Sequence, residues 1–151
     1  MYRYETDKEA LEKINVGDEF ISSSRTISES DVMLFGGLTG DLNELHVSSA
    51  FAEKSKYGQR IAHGMLTISM ANGLFYRFEL FRTSVFLGIE NLKLLKPVFI
   101  GDTLTLKMTI AEKRLTKDGK RYVLGMKYNL VNQHGDLVLD AMFRRMVTDE
   151  E

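Results

Sequence analysis

The feature that most constrains the fold is an uncharged stretch, GMLTISMANGLFY, at residues 64–76. Its Met, Leu, Ile, Ala and Phe side chains point in nearly every direction around a helix, whereas a surface helix carries a single apolar stripe. A helix of this kind has to be surrounded by other elements. Because the stretch is too short to cross a membrane, we expect protein to surround it.

The second half of the chain predicts a sheet that supplies this cover. Apolar and polar side chains alternate in TLTLKMTI, residues 103–110, and again in RYVLGMKYNL, residues 121–130. The predicted inner faces consist of Leu104, Leu106, Met108 and Ile110, and of Tyr122, Leu124, Met126, Tyr128 and Leu130. The linkers TKDGK and QHGD contain turn residues that favour hairpins. We therefore expect an antiparallel meander from Ser84 onward.

The first half is predicted to be mostly helical between residues 28 and 83, after a short strand in DEFISSSRTI. Ser28, with Asp31 three positions later, suits the N-cap of a helix that ends at Gly40. The predicted class is α+β. A long central helix wrapped by a curved antiparallel β-sheet is the hot-dog fold, and the pattern alone leaves other α+β folds open.

Length and charge limit the possible functions. We expect residues 1–151 to form a single domain. The chain has 20 Lys and Arg against 21 Asp and Glu, so it lacks the basic excess that nucleic-acid binding needs. It has no cysteine, which excludes disulfides and thiolate metal sites. The charged start resembles no signal peptide and no apolar run spans a bilayer, so we expect a cytoplasmic protein with no membrane partner.

A candidate site lies in LTGDLNELH, residues 38–46, where an aspartate and a histidine stand five positions apart. On a helix that spacing turns a side chain by about 500°, which leaves the pair roughly 140° apart. Asp41 and His46 therefore converge only if the segment is a compact loop, which Gly40 and an Asx turn at Asn43 would favour. The structural alternative is that Asp41 caps a following short helix and His46 is a buried histidine with satisfied hydrogen bonds.

A second candidate feature is the start of the uncharged helix, which reads AHGML. The first backbone N–H groups of a helix have no partners within it and lie at the positive end of its dipole. Gly64 leaves room there for a ligand carbonyl, so the helix start could hold a developing oxyanion. The alternative is that Gly64 serves packing and His63 caps the helix.

These residues carry a resemblance to a known family. LTGDLNELHVSSAFA resembles the signature of the (R)-specific enoyl-CoA hydratases and the wider MaoC-like dehydratases, in which Gly-Asp-x-Asn-Pro-x-His supplies the catalytic pair. IAHGMLTISM resembles the start of the central helix in that family, and KPVFIGDTL the entry to a strand. The resemblance covers about residues 16–147 and implies the hot-dog fold.

The resemblance also implies roles for individual residues. Asp41 and His46 match the catalytic acid/base pair, and Gly64 matches the backbone oxyanion donor. Asn43, His63 and Asn72 are the candidate substrate-binding residues, with Asn43 shaping the loop of the pair.

Two positions depart from the family pattern. Glu44 stands where proline is usual, and Asn72 stands where many members have a serine that supports the aspartate. Neither change removes a catalytic group. Both concern the choice of substrate and the tuning of the pair.

The implied reaction is the reversible addition of water to a trans-2-enoyl-CoA, which gives an (R)-3-hydroxyacyl-CoA. The pair would activate water and return a proton, and no metal or redox cofactor is needed. Positive charge for the CoA phosphates would come from KSKYGQR, with Lys54, Lys56 and Arg60, although a solvated loop explains these residues equally well. We also expect a homodimer, because an exposed sheet edge is commonly covered by a second copy.

Three other functions stay open on the sequence. A hot-dog thioesterase would share the acyl-CoA ligand but hydrolyse it, and a non-catalytic acyl-CoA-binding protein would bind without turnover. In the third, Asp41, His46 and His63 would form a two-histidine, one-carboxylate metal site.

Overall fold

The computed structural model describes residues 1–148. Its helices are α1 (Asp7–Lys13), α2 (Glu29–Thr39), α3 (Glu44–Val47), α4 (Ser49–Glu53) and α5 (Gly64–Phe75), the last continued by a 3₁₀ turn, Tyr76–Phe78. Its strands are β1 (Glu19–Ile21), β2 (Arg25–Thr26), β3 (Val85–Leu94), β4 (Thr103–Leu115), β5 (Arg121–Val131) and β6 (Leu137–Thr148).

The strands form an antiparallel sheet in the order β1-β4-β5-β6-β3, with β2 paired to the start of β4. The predicted hairpins β4–β5 and β5–β6 are confirmed, but the meander starts at β4 and not at Ser84, because β3 pairs with β6 at the edge of the sheet. The predicted inner faces are also confirmed, except that Tyr122 is only half-buried. The remaining inner-face residues, from Leu104 to Leu130, are at most 1% exposed. These side chains pack with α5 into one apolar cluster that extends from Ala10 to Val147.

The central helix is not covered on all sides, which corrects the expectation that it is fully surrounded. Leu66, Ala71 and Phe75 are buried, but Met65 is 62% exposed and Tyr76 is 43% exposed. The physical reason is that β3 is the last strand of the sheet and leaves one face of α5 open. No helix within residues 1–148 is long and apolar enough to cross a membrane.

Local signals account for the ends of α2. Ser28 and Asp31 form the predicted capping box, in which each side chain accepts a hydrogen bond from the other residue's backbone N–H. Gly40 ends the helix in the left-handed region, with φ 79°. The single strand expected before α2 is instead two short strands, β1 and β2, separated by residues 22–24. The Ser22 hydroxyl accepts a hydrogen bond from the Leu106 N–H, where a continuous ladder would use a backbone carbonyl.

Candidate active site

The loop between α2 and α3 is built by two local hydrogen bonds. The Gly40 N–H donates to the Gly36 carbonyl at 2.9 Å, which closes the end of α2. The Asn43 side-chain oxygen then accepts a hydrogen bond from the Leu45 N–H at 3.0 Å, and this Asx turn starts α3. The compact loop predicted from the sequence is therefore present, although it is shorter than expected, because His46 lies on α3.

His46 points inward from α3 and is 8% exposed. Its Nδ1 lies 2.8 Å from the carbonyl oxygen of Ile61. Because a carbonyl only accepts hydrogen bonds, Nδ1 must carry a proton, and in the neutral ring the lone pair is therefore on Nε2. The backbone thus holds the imidazole in the tautomer that can accept a proton from a bound water.

His63 is the N-cap residue of α5 and is 1% exposed. Its side chain makes no capping hydrogen bond to the helix, so the capping role considered from the sequence is wrong. Instead, its Nε2–H donates to the backbone carbonyl of Asp41 at 2.9 Å. The rings of His63 and His46 lie 3.9 Å apart between centroids. His63 therefore ties the start of α5 to the loop that carries Asp41.

These contacts bring Asp41, His46 and His63 together. One potential ligand atom from each residue lies within 4.8 Å of the others, while the Asp41 residue is exposed and both histidines are buried. His63 Nδ1 has no hydrogen-bond partner within residues 1–148. The arrangement is a carboxylate at the mouth of the site with two buried imidazoles behind it. Two ring nitrogens oriented by backbone carbonyls also suit metal-binding histidines.

Gly64 is the first residue of α5. A Cβ added at this position would lie 2.8 Å from Leu94 Cδ1, so a larger residue fits only if the half-exposed Leu94 side chain moves. A cavity of about 420 Å³ opens beside Gly64, between the Lys56–Tyr57 segment and residues 94–98. Neither Asp41 nor His46 lines this cavity. The start of α5 therefore lies between the open groove and the Asp–His loop, and Ile61, whose carbonyl binds His46, lines the groove.

Only part of the expected positive charge faces the groove. Lys56 lines it, as does Lys96, which forms an ion pair with Asp136 at 3.1 Å. Arg60 does not line this groove, because both of its terminal nitrogens donate to the Glu29 carboxylate. These hydrogen bonds lower the pKa of Glu29 and raise that of Arg60. Arg60 therefore serves mainly to hold α2 to the segment before α5.

Asn72 lies elsewhere on α5, eight residues beyond Gly64. Its side-chain oxygen accepts a hydrogen bond from Arg145 on β6. Within residues 1–148 no hydrogen bond joins Asn72 to Asp41, so the structure does not place it as a support for that carboxylate.

One residue of the site, Gly36, was not identified from the sequence. A Cβ at Gly36 would lie 3.2 Å from both the Asp41 carbonyl oxygen and Leu42 Cδ2, so a larger residue here requires the loop to shift by a few tenths of an ångström. The signal available in the sequence was the Gly36–Gly37 pair in the middle of a predicted helix, where glycine is otherwise unfavourable.

A long helix wrapped by an antiparallel sheet, with an Asp–His loop at the start of that helix, defines a protein of the hot-dog fold class. A family model described as "MaoC like domain" matches residues 13–131. The chain belongs to this family of MaoC-like dehydratase domains, which confirms the resemblance seen in the motifs.

Individual relatives agree with this assignment. The chain is 37% identical over 89 residues to an (R)-specific enoyl-CoA hydratase of Rhodospirillum rubrum, covering 59% of the chain and 61% of the relative. It is 32% identical over 108 residues to an (R)-specific enoyl-CoA hydratase of Aeromonas caviae, covering 72% and 79%. The chain spans between 31% and 61% of the length of the first three curated relatives that it matches.

A solved structure supports the fold. A protein from Archaeoglobus fulgidus described as a monoamine oxidase regulatory protein superposes with a TM-score of 0.83 at 33% identity, over 93% of this chain and 95% of that one. The hot-dog fold and the α+β class are therefore confirmed.

Proposed function

We propose that the protein is an (R)-specific enoyl-CoA hydratase, which adds water reversibly to a trans-2-enoyl-CoA to give an (R)-3-hydroxyacyl-CoA. The observation that carries the proposal is the tautomer of His46. Its Nδ1–H is committed to the Ile61 carbonyl at 2.8 Å, so Nε2 is free to accept a proton beside the Asp41 carboxylate. Names of relatives that are (R)-specific enoyl-CoA hydratases support the same reaction.

Water is a poor nucleophile and needs a base. In the proposed mechanism one water lies between Asp41 and His46 Nε2 and loses a proton to the pair as its oxygen bonds to C3 of the substrate. The C2–C3 double bond becomes an enolate whose charge lies on the thioester oxygen. The pair then delivers the proton to C2, which completes the addition of one water and regenerates both residues.

The enolate oxygen needs a hydrogen-bond donor during this step. The Gly64 N–H at the start of α5 is suited to the role, since it has no partner within the helix and lies at the positive end of the helix dipole. His63 supports the geometry by joining the α5 start to the Asp41 backbone at 2.9 Å. Asn43 supports it by forming the turn that places His46.

We place the thioester in the groove beside Gly64, with Lys56 as the nearest basic group for the CoA phosphates. The chemistry calls for no metal or redox cofactor, since the pair supplies the proton transfers.

We further propose that the protein is a cytoplasmic homodimer. The exposed face of α5 lies next to β3, an edge strand whose Val85, Phe86 and Leu87 are each about half exposed. A second copy that pairs along β3 would cover this edge. Sedimentation at micromolar concentration should give a dimer, and a monomer would contradict this part of the proposal.

Incubation with crotonyl-CoA tests the reaction. We expect the ultraviolet absorbance of the enoyl thioester to fall without release of thiol, and chiral analysis to identify (R)-3-hydroxybutyryl-CoA. Release of free CoA thiol would instead identify the thioesterase considered from the sequence.

Two further outcomes would count against the proposal. Tight binding without any change in absorbance would identify a non-catalytic acyl-CoA-binding protein. Loss of activity with a chelator, restored by a divalent cation, would identify Asp41, His46 and His63 as metal ligands, whereas we expect a chelator to have no effect.

A further inference from the structure

The far end of α5 holds a buried positive charge. Arg145 points inward from β6 and is 1% exposed, the least expected position for an arginine. Its guanidinium lies 4.3 Å from the ring centroid of Phe75. Its hydrogen bonds go to the Asn72 side-chain oxygen and, at 3.3 and 3.4 Å, to the hydroxyls of Tyr76 and Ser84. Every one of these partners is neutral.

No carboxylate within residues 1–148 forms an ion pair with Arg145, and its Nε has no hydrogen-bond partner there. The preceding residue behaves differently, because the outward-facing Arg144 binds both Glu90 and Glu112 at 2.6 Å. Tyr128 does not neutralise the charge either. Burial raises the pKa of its hydroxyl well above the ordinary value, so it stays protonated. Burying a charge without a counter-ion is costly unless something supplies one.

A cavity reaches Asn72, which accepts a hydrogen bond from Arg145, while Arg145 itself does not line it. It has a volume of about 240 Å³ and lies between the open face of α5, with Met65, Ser69 and Asn72, and β3, with Phe86 and Ile89. Its walls are mostly apolar, and Asn72 is the wall residue that touches the guanidinium. The cavity therefore suits an apolar chain that ends in a group able to bind Asn72 and Arg145.

The cavity starts near the proposed reaction centre. Gly64 and Asn72 are eight residues apart, which is ~12 Å along the helix axis at the usual rise per residue. Leu94 of β3 lies against Gly64, and Phe86 of the same strand lies against the cavity near Asn72. The groove beside Gly64 and this cavity share no lining residue, so an acyl chain whose thioester is held at Gly64 has to pass Met65 and Leu94 to reach Asn72.

We propose that the preferred substrates are acyl thioesters whose acyl group carries a carboxylate at its far end, and that Arg145, presented through Asn72, binds this carboxylate. The inference rests on the proposed function for the position of the thioester. The buried guanidinium supplies the charge, the Asn72 amide a second donor, and the cavity an apolar path for the methylene chain.

Binding of unreactive ligands tests this without requiring turnover. The probes are saturated decanoyl-CoA and the mono-CoA thioester of decanedioic acid, which differ only in the terminal carboxylate. Calorimetric titration should show that the dicarboxylic thioester binds roughly 10- to 100-fold more tightly, as expected for a hydrogen-bonded contact to a charged group. The readout is the ratio of the two dissociation constants in each protein.

Two variants test whether the positive charge of Arg145 causes the preference for the dicarboxylic ligand. Arg145→Met should bring the ratio close to one, whereas the matched control Arg144→Met, on the outer face of the same strand, should retain it. If Arg145→Met fails to fold, Asn72→Asp decides the question. This change places a carboxylate beside the guanidinium, so it should also abolish the preference for the dicarboxylic ligand.

Each remaining outcome has a defined meaning. Equal binding of the two probes to the unaltered protein overturns this inference and leaves the proposed hydratase function standing. Failure of both probes to bind overturns the inference and also counts against the acyl-CoA function. A preference that emerges only when Asp149, Glu150 and Glu151 are changed to their amides would assign the counter-ion to those acids and overturn it as well.

Discussion

The two ends of α5 bury polar groups in opposite ways. At the start of the helix, His46 and His63 each direct one ring nitrogen to a backbone carbonyl, at 2.8 and 2.9 Å, and their other nitrogens have no hydrogen-bond partner within residues 1–148. At the far end, the hydrogen bonds of the Arg145 guanidinium within residues 1–148 go only to an amide oxygen and two hydroxyls. Imidazole exchanges protons near neutral pH, whereas guanidinium keeps its charge at any physiological pH.

The two ends of α5 can therefore have different roles, with proton transfer at the start of the helix and substrate binding at its far end. Groups that change protonation state are suited to the end where water is activated. A permanent charge is suited to the end where the substrate is only held. The following predictions test whether the two ends have these separate roles, beginning with the change expected to have the largest effect.

The largest effect is expected from the acid/base pair. Asp41→Asn and His46→Ala should each lower kcat by on the order of 10² to 10⁴-fold, the usual contribution of a positioned acid or base. His46→Ala also removes the donor to the Ile61 carbonyl, which should destabilise the fold by about 1–3 kcal/mol. Initial rates with crotonyl-CoA, with circular dichroism to verify folding, provide the measurement.

The third histidine offers a matched control. His134 lies exposed in the turn between β5 and β6, so His134→Ala should keep the parental rate. Near-parental activity in either Asp41→Asn or His46→Ala would show that the start of α5 is not the reaction centre.

A smaller effect on kcat is expected from a change at Gly64, the proposed backbone hydrogen-bond donor. Gly64→Ala should lower kcat by about 10² to 10³-fold, because the added methyl group occupies the approach of the thioester to the Gly64 N–H. The same methyl group would lie 2.8 Å from Leu94 Cδ1, so steric crowding is a competing cause. Steady-state kinetics of the double variant Gly64→Ala/Leu94→Ala separates the two causes, since it relieves the crowding without restoring the approach.

The expected result is that the double variant stays slow. Recovery of the parental rate would show that Gly64 serves packing alone. Gly73→Ala, on the same helix with no atom within 4 Å of the added Cβ, is the matched control and should raise stability by up to about 1 kcal/mol.

The smallest effect, a change in Tm, is expected from a substitution at Arg144, the outward-facing neighbour of the buried Arg145. Hydrogen bonds from Arg144 lower the pKa of Glu90 and Glu112 below the ordinary value of 4.5. A lowered carboxyl pKa stabilises the fold above the unfolded-state value and loses that contribution as the pH falls through the folded-state value. Arg144→Met should therefore lower Tm slightly at neutral pH, and the difference should shrink below pH 4.5. A Tm difference independent of pH would contradict this assignment.

Much of the fold follows from local patterns in the sequence. Alternation along β4 and β5 identifies their inner faces, and the capping box at Ser28 with Gly40 marks the ends of α2. Helix α1 was not predicted, because its first turn is polar and it buries only two residues, Ala10 and Leu11. The open face of α5 could not be foreseen, since the composition of a helix does not tell which neighbour covers each side.

The site was predictable to the extent that the loop is local. Gly40 and Asn43 make the turn that brings Asp41 and His46 together, and both turn signals are visible in the sequence. The tie from His63 to the Asp41 carbonyl spans 22 residues and needs the tertiary structure. The burial of Arg145 is equally invisible, because two adjacent arginines in a strand look alike until the sheet assigns them to opposite faces.

The central claim is that Asp41 and His46 act together on one water. A double-mutant cycle on the hydration of crotonyl-CoA tests it most directly, with kcat measured for the parent, Asp41→Asn, His46→Ala and the double variant. If the pair shares one water, the double variant should lose little more than the worse of the two single variants, because either change already disables the unit. A loss equal to the product of the two single losses would show independent roles and contradict the account.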